Sequence, residues 1–177
     1  MHLTRLLVGA LAVGNGIGGT GTANQTLTAK LQPLAKLSVP ATLSLSAGGS
    51  QFAPFTGTLV VSYRARTIST NSTGTIAAQV TSDFATAASG NPSAAAGALT
   101  YTCSSAGLGT PCSGTITAST TVSTTVVALP ASACTGGGGS CSSSDPATVN
   151  VNFILADSPG YSTGAYSAQV KFSISGV

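Results

Sequence analysis

Apolar and polar side chains alternate along most of this chain, and a period of two is typical of a β-strand with one buried face. The alternation is clearest near the C-terminus, where the apolar positions are Tyr166, Ala168, Val170, Phe172 and Ile174. An earlier segment shows the same pattern at Ala147, Val149, Val151, Phe153 and Leu155. Because turn-forming residues lie between them at Asp157–Gly160, we expect these two segments to form a hairpin.

The same period predicts further strands in the middle of the chain. One has inward positions at Leu59, Val61, Tyr63 and Ala65, and a second, Thr75–Phe84, has them at Ile76, Ala78 and Val80. Others are expected at Leu99–Cys103, Gly114–Ala118 and Val122–Leu129. No window of helical length carries an apolar stripe with caps at both ends. Seven or more short strands predict an all-β fold, an immunoglobulin-like antiparallel β-sandwich with an extended N-terminal strand or arm.

The first 23 residues predict a secretory signal peptide. A short region with Arg5 precedes the apolar run Leu6–Val13, and the small residues Gly21–Ala23 place the cleavage site after Ala23. Glycines interrupt the run before the roughly 20 apolar residues that a membrane span requires. We therefore expect residues 24–177 to be secreted as a single domain, extracellular or at the cell surface, without a membrane span.

The chain offers few groups for catalysis. Its one histidine, His2, lies in the predicted signal peptide, and its three acidic residues are Asp83, Asp145 and Asp157. A serine triad requires an imidazole, and carboxylates in turn segments more often cap turns than cleave glycosides. We expect no enzyme, no catalytic residue, no metal site and no cofactor. Nucleic acid is not an expected partner, since a basic face with aromatic platforms is missing.

Four cysteines indicate an oxidising compartment. Cys103 and Cys112 lie at the two ends of one loop, and Cys134 and Cys141 lie at the ends of another. Four cysteines allow three pairings, and we predict Cys103–Cys112 with Cys134–Cys141 because each pair closes a local loop. The spacings are not those of zinc ligands.

The segment after the predicted cleavage site, residues 24–39, alternates for longer than one strand normally runs. Apart from Leu34, its small or apolar residues are odd-numbered: Leu27, Ala29, Leu31, Pro33, Ala35, Leu37 and Val39. One interpretation is a first strand that crosses between sheets at Pro33. The other is a donor arm that adds a strand to the sheet of the next subunit. In the second case the subunit-interface residues are Leu27, Ala29, Leu31, Ala35, Leu37 and Val39.

The alternating arm is accompanied by a terminal strand of the form Gly164-x-Tyr166-x-x-x-Val170-x-Phe172-x-Ile174, preceded by Pro159-Gly160. In both features the chain resembles the pilin-like subunits of chaperone–usher fibres and the related spore coat protein U domains. The resemblance implies an incomplete immunoglobulin-like fold and fibre growth by donor-strand exchange. It also implies two partners, a periplasmic chaperone and an outer-membrane assembly protein.

Two functional hypotheses follow. With 5% charged residues, the surface carries little charge to oppose self-association. This favours a homo-oligomer or polymer, as a structural subunit of an extracellular fibre, pilus or surface coat. The alternative is a monomeric secreted binding module or adhesin that uses the loops Ala85–Gly97 and Cys134–Cys141 as its contact surface.

Overall fold

A computed structural model describes residues 28, 34–66, 73–84, 90–131 and 146–176. The part from Leu34 onward belongs to one compact unit, Gln32–Val177. The predicted signal peptide and most of the predicted arm lie outside the described residues, so the domain boundaries remain predictions.

Ten strands and no helix occur in the part of the chain that the structure describes. In chain order they are β1 (Leu34–Ser38), β2 (Ser46–Ala47), β3 (Phe55–Arg66), β4 (Gly74–Ser82), β5 (Leu99–Ser104), β6 (Thr110–Pro111), β7 (Ile116–Thr117), β8 (Thr124–Leu129), β9 (Ala147–Leu155) and β10 (Gln169–Ser175). The strands predicted from the alternation are present, with ends that differ by a few residues.

The strands form two antiparallel sheets that pack face to face. The large sheet has the order β1-β3-β9-β5-β7, and β2 also pairs with β3. The small sheet has the order β10-β4-β8-β6. The predicted all-β sandwich is confirmed.

The core lies where the alternation places it, between the two sheets. The buried positions of β3 are Leu59, Val61, Tyr63 and Ala65, and those of β4 are Ile76, Ala78 and Val80. On β8 the consecutive residues Val126 and Val127 are both buried. A register shift between Ile76 and Ala77 accounts for this, because the extra residue turns two neighbouring side chains inward.

The predicted hairpin of the last two strands is wrong. β9 pairs with β3 and β5 in the large sheet, whereas β10 pairs with β4 in the small sheet. Residues 156–168 therefore cross from one sheet to the other. The turn formers at Asp157–Gly160 do make a turn, closed by the Tyr161 amide donating to the Ser158 carbonyl at 2.9 Å, but the chain then continues across the sandwich.

Covalent and polar links hold the sheets together on the side formed by β5, β6 and β7. The predicted disulfide Cys103–Cys112 is confirmed, and it joins β5 to the residue after β6. The buried Tyr101 hydroxyl donates to the Thr124 Oγ1 on β8 at 2.8 Å. Cys134 and Cys141 lie outside the described residues, so their pairing remains a prediction.

The strand register defines two ends of the sandwich. Leu34 is opposite Arg66, and this is called the Arg66 end. Phe55, Leu99 and Leu155 are neighbours across three strands, and this is called the Phe55 end. The chain enters β1 at the Arg66 end and leaves β9 at the Phe55 end.

Candidate functional site

An apolar groove with a cavity volume of about 560 Å³ opens at the Phe55 end of the sandwich. One wall is the segment 39–45, which links β1 to β2, and the other is the segment 164–172, which leads into β10. The floor consists of side chains from the core and its edge: Phe55, Leu59, Phe84, Leu99, Phe153, Leu155 and Phe172. Among the described residues, no lysine, arginine, histidine or carboxylate lines the groove, so its chemistry suits an apolar ligand.

The groove is open because β10 is an edge strand. It pairs with β4 on one side, and no other described strand pairs with its second side. The inward residues of β3, β4 and β9 are mostly buried, whereas Val170, Phe172 and Ile174 of β10 are only half-buried. Among the described residues, none therefore forms a complete layer of side chains above β10.

The first wall depends on a glycine in β3. A Cβ atom at Gly57 would lie 2.8 Å from Leu45 Cδ2 and 2.9 Å from the Ser44 carbonyl oxygen. Only glycine allows the backbone of the segment 39–45 to lie this close to β3. Leu43 and Leu45 consequently pack against the core, while the backbone between β1 and β2 runs beside the groove.

The second wall is anchored by Tyr166. Its hydroxyl group donates to the Ser162 carbonyl oxygen at 2.5 Å, and it also lies 3.1 Å from Asn91 Oδ1. The Ser162 amide in turn donates to the Gly90 carbonyl oxygen at 2.6 Å. These bonds tie the crossing segment 156–168 to the loop before β5, and the tyrosine ring lines the groove.

Asp83 holds the loop that precedes β5. Its carboxylate accepts hydrogen bonds from the Phe84 and Ala94 amides at 2.8 and 2.7 Å, from the Ser93 hydroxyl at 2.7 Å and from the Ala95 amide at 3.2 Å. Partial burial raises the pKa of Asp83, but the four hydrogen bonds together outweigh it and hold the pKa below the ordinary value of 3.8. The ionised carboxylate thereby positions Phe84, whose ring lines the groove.

Aromatic contacts join the groove floor to the rest of the core. The rings of Phe153 and Phe172 meet edge to face, with their centroids 6.5 Å apart. The centroids of the Phe153 and Tyr101 rings are 5.7 Å apart. Phe153 lies in the large sheet and Phe172 in the small one. This preferred ring geometry keeps the two sheets in contact beneath the groove, which no strand of the described residues covers.

The arrangement can accept an extended polypeptide. An edge strand presents unpaired backbone N–H and C=O groups, which an added strand can bind. Alternate apolar side chains of that strand would enter the half-buried layer above Val170 and Phe172.

The predicted subunit-interface residues fall into two groups. Leu27, Ala29 and Leu31 lie outside the described residues. Leu37 and Val39 are half-buried against the core of their own chain, and Ala35 is exposed. Val39 also lines the groove. The interface role of all six residues stays a prediction.

The sequence did not predict the groove, because the expected hairpin paired β10 with β9. One feature of the sequence argues against that hairpin. The two predicted strands, which end at Leu155 and begin at Tyr166, are separated by residues 156–165, a connection longer than the two to five residues usual for a hairpin loop. Phe84 was expected at the end of a strand. In the structure β4 ends at Ser82, and the ring of Phe84 lines the groove.

Two further properties of the described residues concern metal binding and membrane spans. No group of three or more histidine, cysteine or acidic side chains is placed to hold a metal ion there. Over the same residues, no helix has the length and apolar character of a membrane span.

Neither a protein-family model nor a curated protein matches this sequence.

Proposed function

We propose that this protein is a structural subunit of an extracellular fibre, pilus or surface coat, and that it polymerises by strand addition between subunits. The observation that carries the proposal is the apolar groove beside β10, an edge strand whose inward side chains are only half-buried. A sandwich with such a gap gains stability when a strand from outside fills it.

The strand order supports an incomplete immunoglobulin-like fold. In that fold one sheet has the order A-B-E-D, which matches β1-β3-β9-β5. The other sheet places F beside C and G beside F, and β10 and β4 take the places of F and C. The place of G corresponds to the groove, where the described residues supply no strand. This agrees with the resemblance to pilin-like subunits.

The proposed occupant is the segment 24–32 of a second copy, with Leu27, Ala29 and Leu31 facing the groove. Burying the two leucines contributes roughly 3–6 kcal/mol. Main-chain hydrogen bonds to β10 add to this, and the ordering of the segment opposes it. The periplasmic chaperone and outer-membrane assembly protein implied by the resemblance would handle the subunit before its groove is filled.

The test is deletion and complementation. A mature protein that lacks residues 24–32 keeps an empty groove and no donor, so we expect a monomer by size-exclusion chromatography where the intact protein forms oligomers. A synthetic peptide of residues 24–32 should then bind this variant and raise its melting temperature.

The matched control is the same peptide with Leu27→Asn and Leu31→Asn, which keeps the length and removes the apolar side chains. It should not raise the melting temperature. An intact protein that stays monomeric at high concentration, or two peptides with equal effects, would contradict the proposal.

A further inference from the structure

We propose that Phe52, between β2 and β3, is a contact residue for the neighbouring copy of this protein whose strand fills the groove. The inference rests on the proposed function, since it adds a second contact to the same assembly. Residues 48–54 connect β2 to β3 and are called the hairpin tip.

Phe52 occupies a backbone position that normally belongs to glycine or asparagine. The Ala53 amide donates to the Ser50 carbonyl oxygen at 3.2 Å, which closes a four-residue turn with Phe52 at its third position. Phe52 has a φ of +58°, and a type II turn requires a positive φ at this position. Bulky side chains rarely adopt this conformation, because it brings Cβ too close to the backbone. Glycine or asparagine at position 52 would therefore stabilise the turn.

The fold of the chain itself gains little from this side chain. Phe52 is 49% exposed, whereas the other aromatic side chains of the described residues are buried or half-buried. Among the described residues, it belongs neither to the hydrophobic core nor to the side chains packed against it. Single exposed apolar residues are common on protein surfaces, but an exposed ring on a disfavoured backbone is not. Backbone strain of this kind is concentrated at functional contacts.

The hairpin tip adjoins the mouth of the groove. Ala47 of β2 pairs with Phe55 of β3, so the tip extends beyond the Phe55 end of the sandwich. Leu45, which lies just before β2, and Phe55, which lies just after the tip, both line the groove. A strand that fills the groove therefore lies beside the base of the tip, and the copy that supplies this strand comes close to Phe52.

The chemistry of the tip favours a second copy as the partner. The tip carries no charged residue; its sequence is Gly48, Gly49, Ser50, Gln51, Phe52, Ala53 and Pro54. Aromatic side chains that enter a lipid surface are typically accompanied by lysine or arginine, and the tip has neither. A surface with little charge suits the ring better, and only 5% of the residues of this chain are charged. A neighbouring copy can bury the ring without removing a charge from water.

The experiment replaces Phe52 and measures folding and assembly separately. Asparagine tolerates the left-handed conformation, so Phe52→Asn should melt no lower than the wild type, and up to about 2–4 °C higher. Melting is measured at a protein concentration too low for assembly. In the mature protein, loss of the ring should raise the concentration at which half of the protein is assembled by about threefold to tenfold. Size-exclusion chromatography over a dilution series measures this concentration.

Three variants are matched controls. Ser105→Asn changes the other described residue with a positive φ that is not glycine, at +57°, and it should melt no lower than the wild type and assemble normally. Val122→Asn removes an apolar side chain that is 59% exposed and does not line the groove, and it should also assemble normally. Phe52→Tyr keeps the ring and should assemble within about twofold of the wild type. Equal losses of assembly in Val122→Asn and Phe52→Asn would overturn the inference.

The remaining outcomes separate this contact from the proposed function. A polymer that Phe52→Asn leaves unchanged would overturn the contact and leave the proposed function intact. A clear fall in the melting temperature of Phe52→Asn would also overturn it, because the ring would then serve its own fold. Cosedimentation of the wild type with phosphatidylcholine vesicles, if Phe52→Asn abolishes it, would assign the ring to a lipid surface instead. If the wild-type protein forms no polymer at all, the proposed function is wrong and the inference is wrong with it.

Discussion

At the scale of single residues, two buried tyrosines hold the side of the sandwich opposite to the groove. The hydroxyl of Tyr63 donates to the Leu108 carbonyl, and the Leu108 amide donates back to it at 3.2 Å. The loop at Leu108 depends on Gly109, which has a φ of +85° and lies where a Cβ atom would be 2.5 Å from the Ala128 carbonyl oxygen. Tyr63 therefore binds a loop whose backbone conformation only glycine adopts readily.

Tyr63→Phe should lower the free energy of unfolding by about 1–3 kcal/mol, because it leaves two backbone groups of Leu108 without their partner. The measurement is chemical denaturation at neutral pH. Burial raises the pKa of Tyr63, although the bond to Leu108 lowers it in part, and burial likewise raises the pKa of Tyr101. Both contributions to stability are complete below pH 10 and are lost as the pH rises through the raised pKa values. An unchanged stability of Tyr63→Phe would contradict this account.

At the scale of structural elements, the loop that Asp83 binds should respond to acid. Since the pKa of Asp83 is lowered, its contribution to stability is complete above the ordinary value of 3.8 and is lost as the pH falls through the lower folded value. Asp83→Ala should therefore destabilise the protein by about 1–3 kcal/mol at pH 7 and by less at pH 2. Denaturation curves at the two pH values measure the difference, and Asp157→Ala, in a turn outside the groove wall, is the comparison. An equal loss at both pH values would contradict the role of the ionised carboxylate.

The disulfide is the second prediction at this scale. Cys103 and Cys112 are separated by 9 residues, and opening a loop of this size should lower stability by roughly 2–3 kcal/mol in the chain-entropy account. The variant with Cys103→Ala and Cys112→Ala should still fold, because the Tyr63 and Tyr101 bonds remain on the same side. Thermal melting with and without reductant checks this. An equal melting temperature of the wild-type protein with and without reductant would argue against a stabilising Cys103–Cys112 disulfide.

The alternation in the sequence predicted the strands and their buried faces, but not every strand pairing. The alternation predicted which residues of β3, β4 and β9 face the core, because each of these strands is covered on one face by the other sheet. It could not predict which sheet β10 joins, since a period of two is the same in either sheet. The first disulfide was predicted because a local loop limits the possible partners. The groove depends on residues distant in sequence, such as Gly57, Phe84 and Tyr166, and no local pattern brings them together.

At the scale of the whole molecule, the sandwich has one closed side and one open side. The disulfide and the tyrosine bonds close the side at β5 to β8, whereas no described strand covers the groove on the side at β10. The two sides have different expected roles. Under the proposed function, the closed side would maintain the fold of the isolated protein, and the open side would gain its last layer of side chains from a neighbour.

Backbone hydrogen exchange of β10 tests this central claim most directly. Within Gln169–Ser175, the amides that point away from β4 should exchange fast in the variant without residues 24–32. They should become protected when the peptide of residues 24–32 is added or when the intact protein assembles. Amides of β3, which has strands on both sides, should stay protected throughout. Equal exchange of β10 with and without the donor segment would contradict the account, because it would mean that no strand is added at this edge.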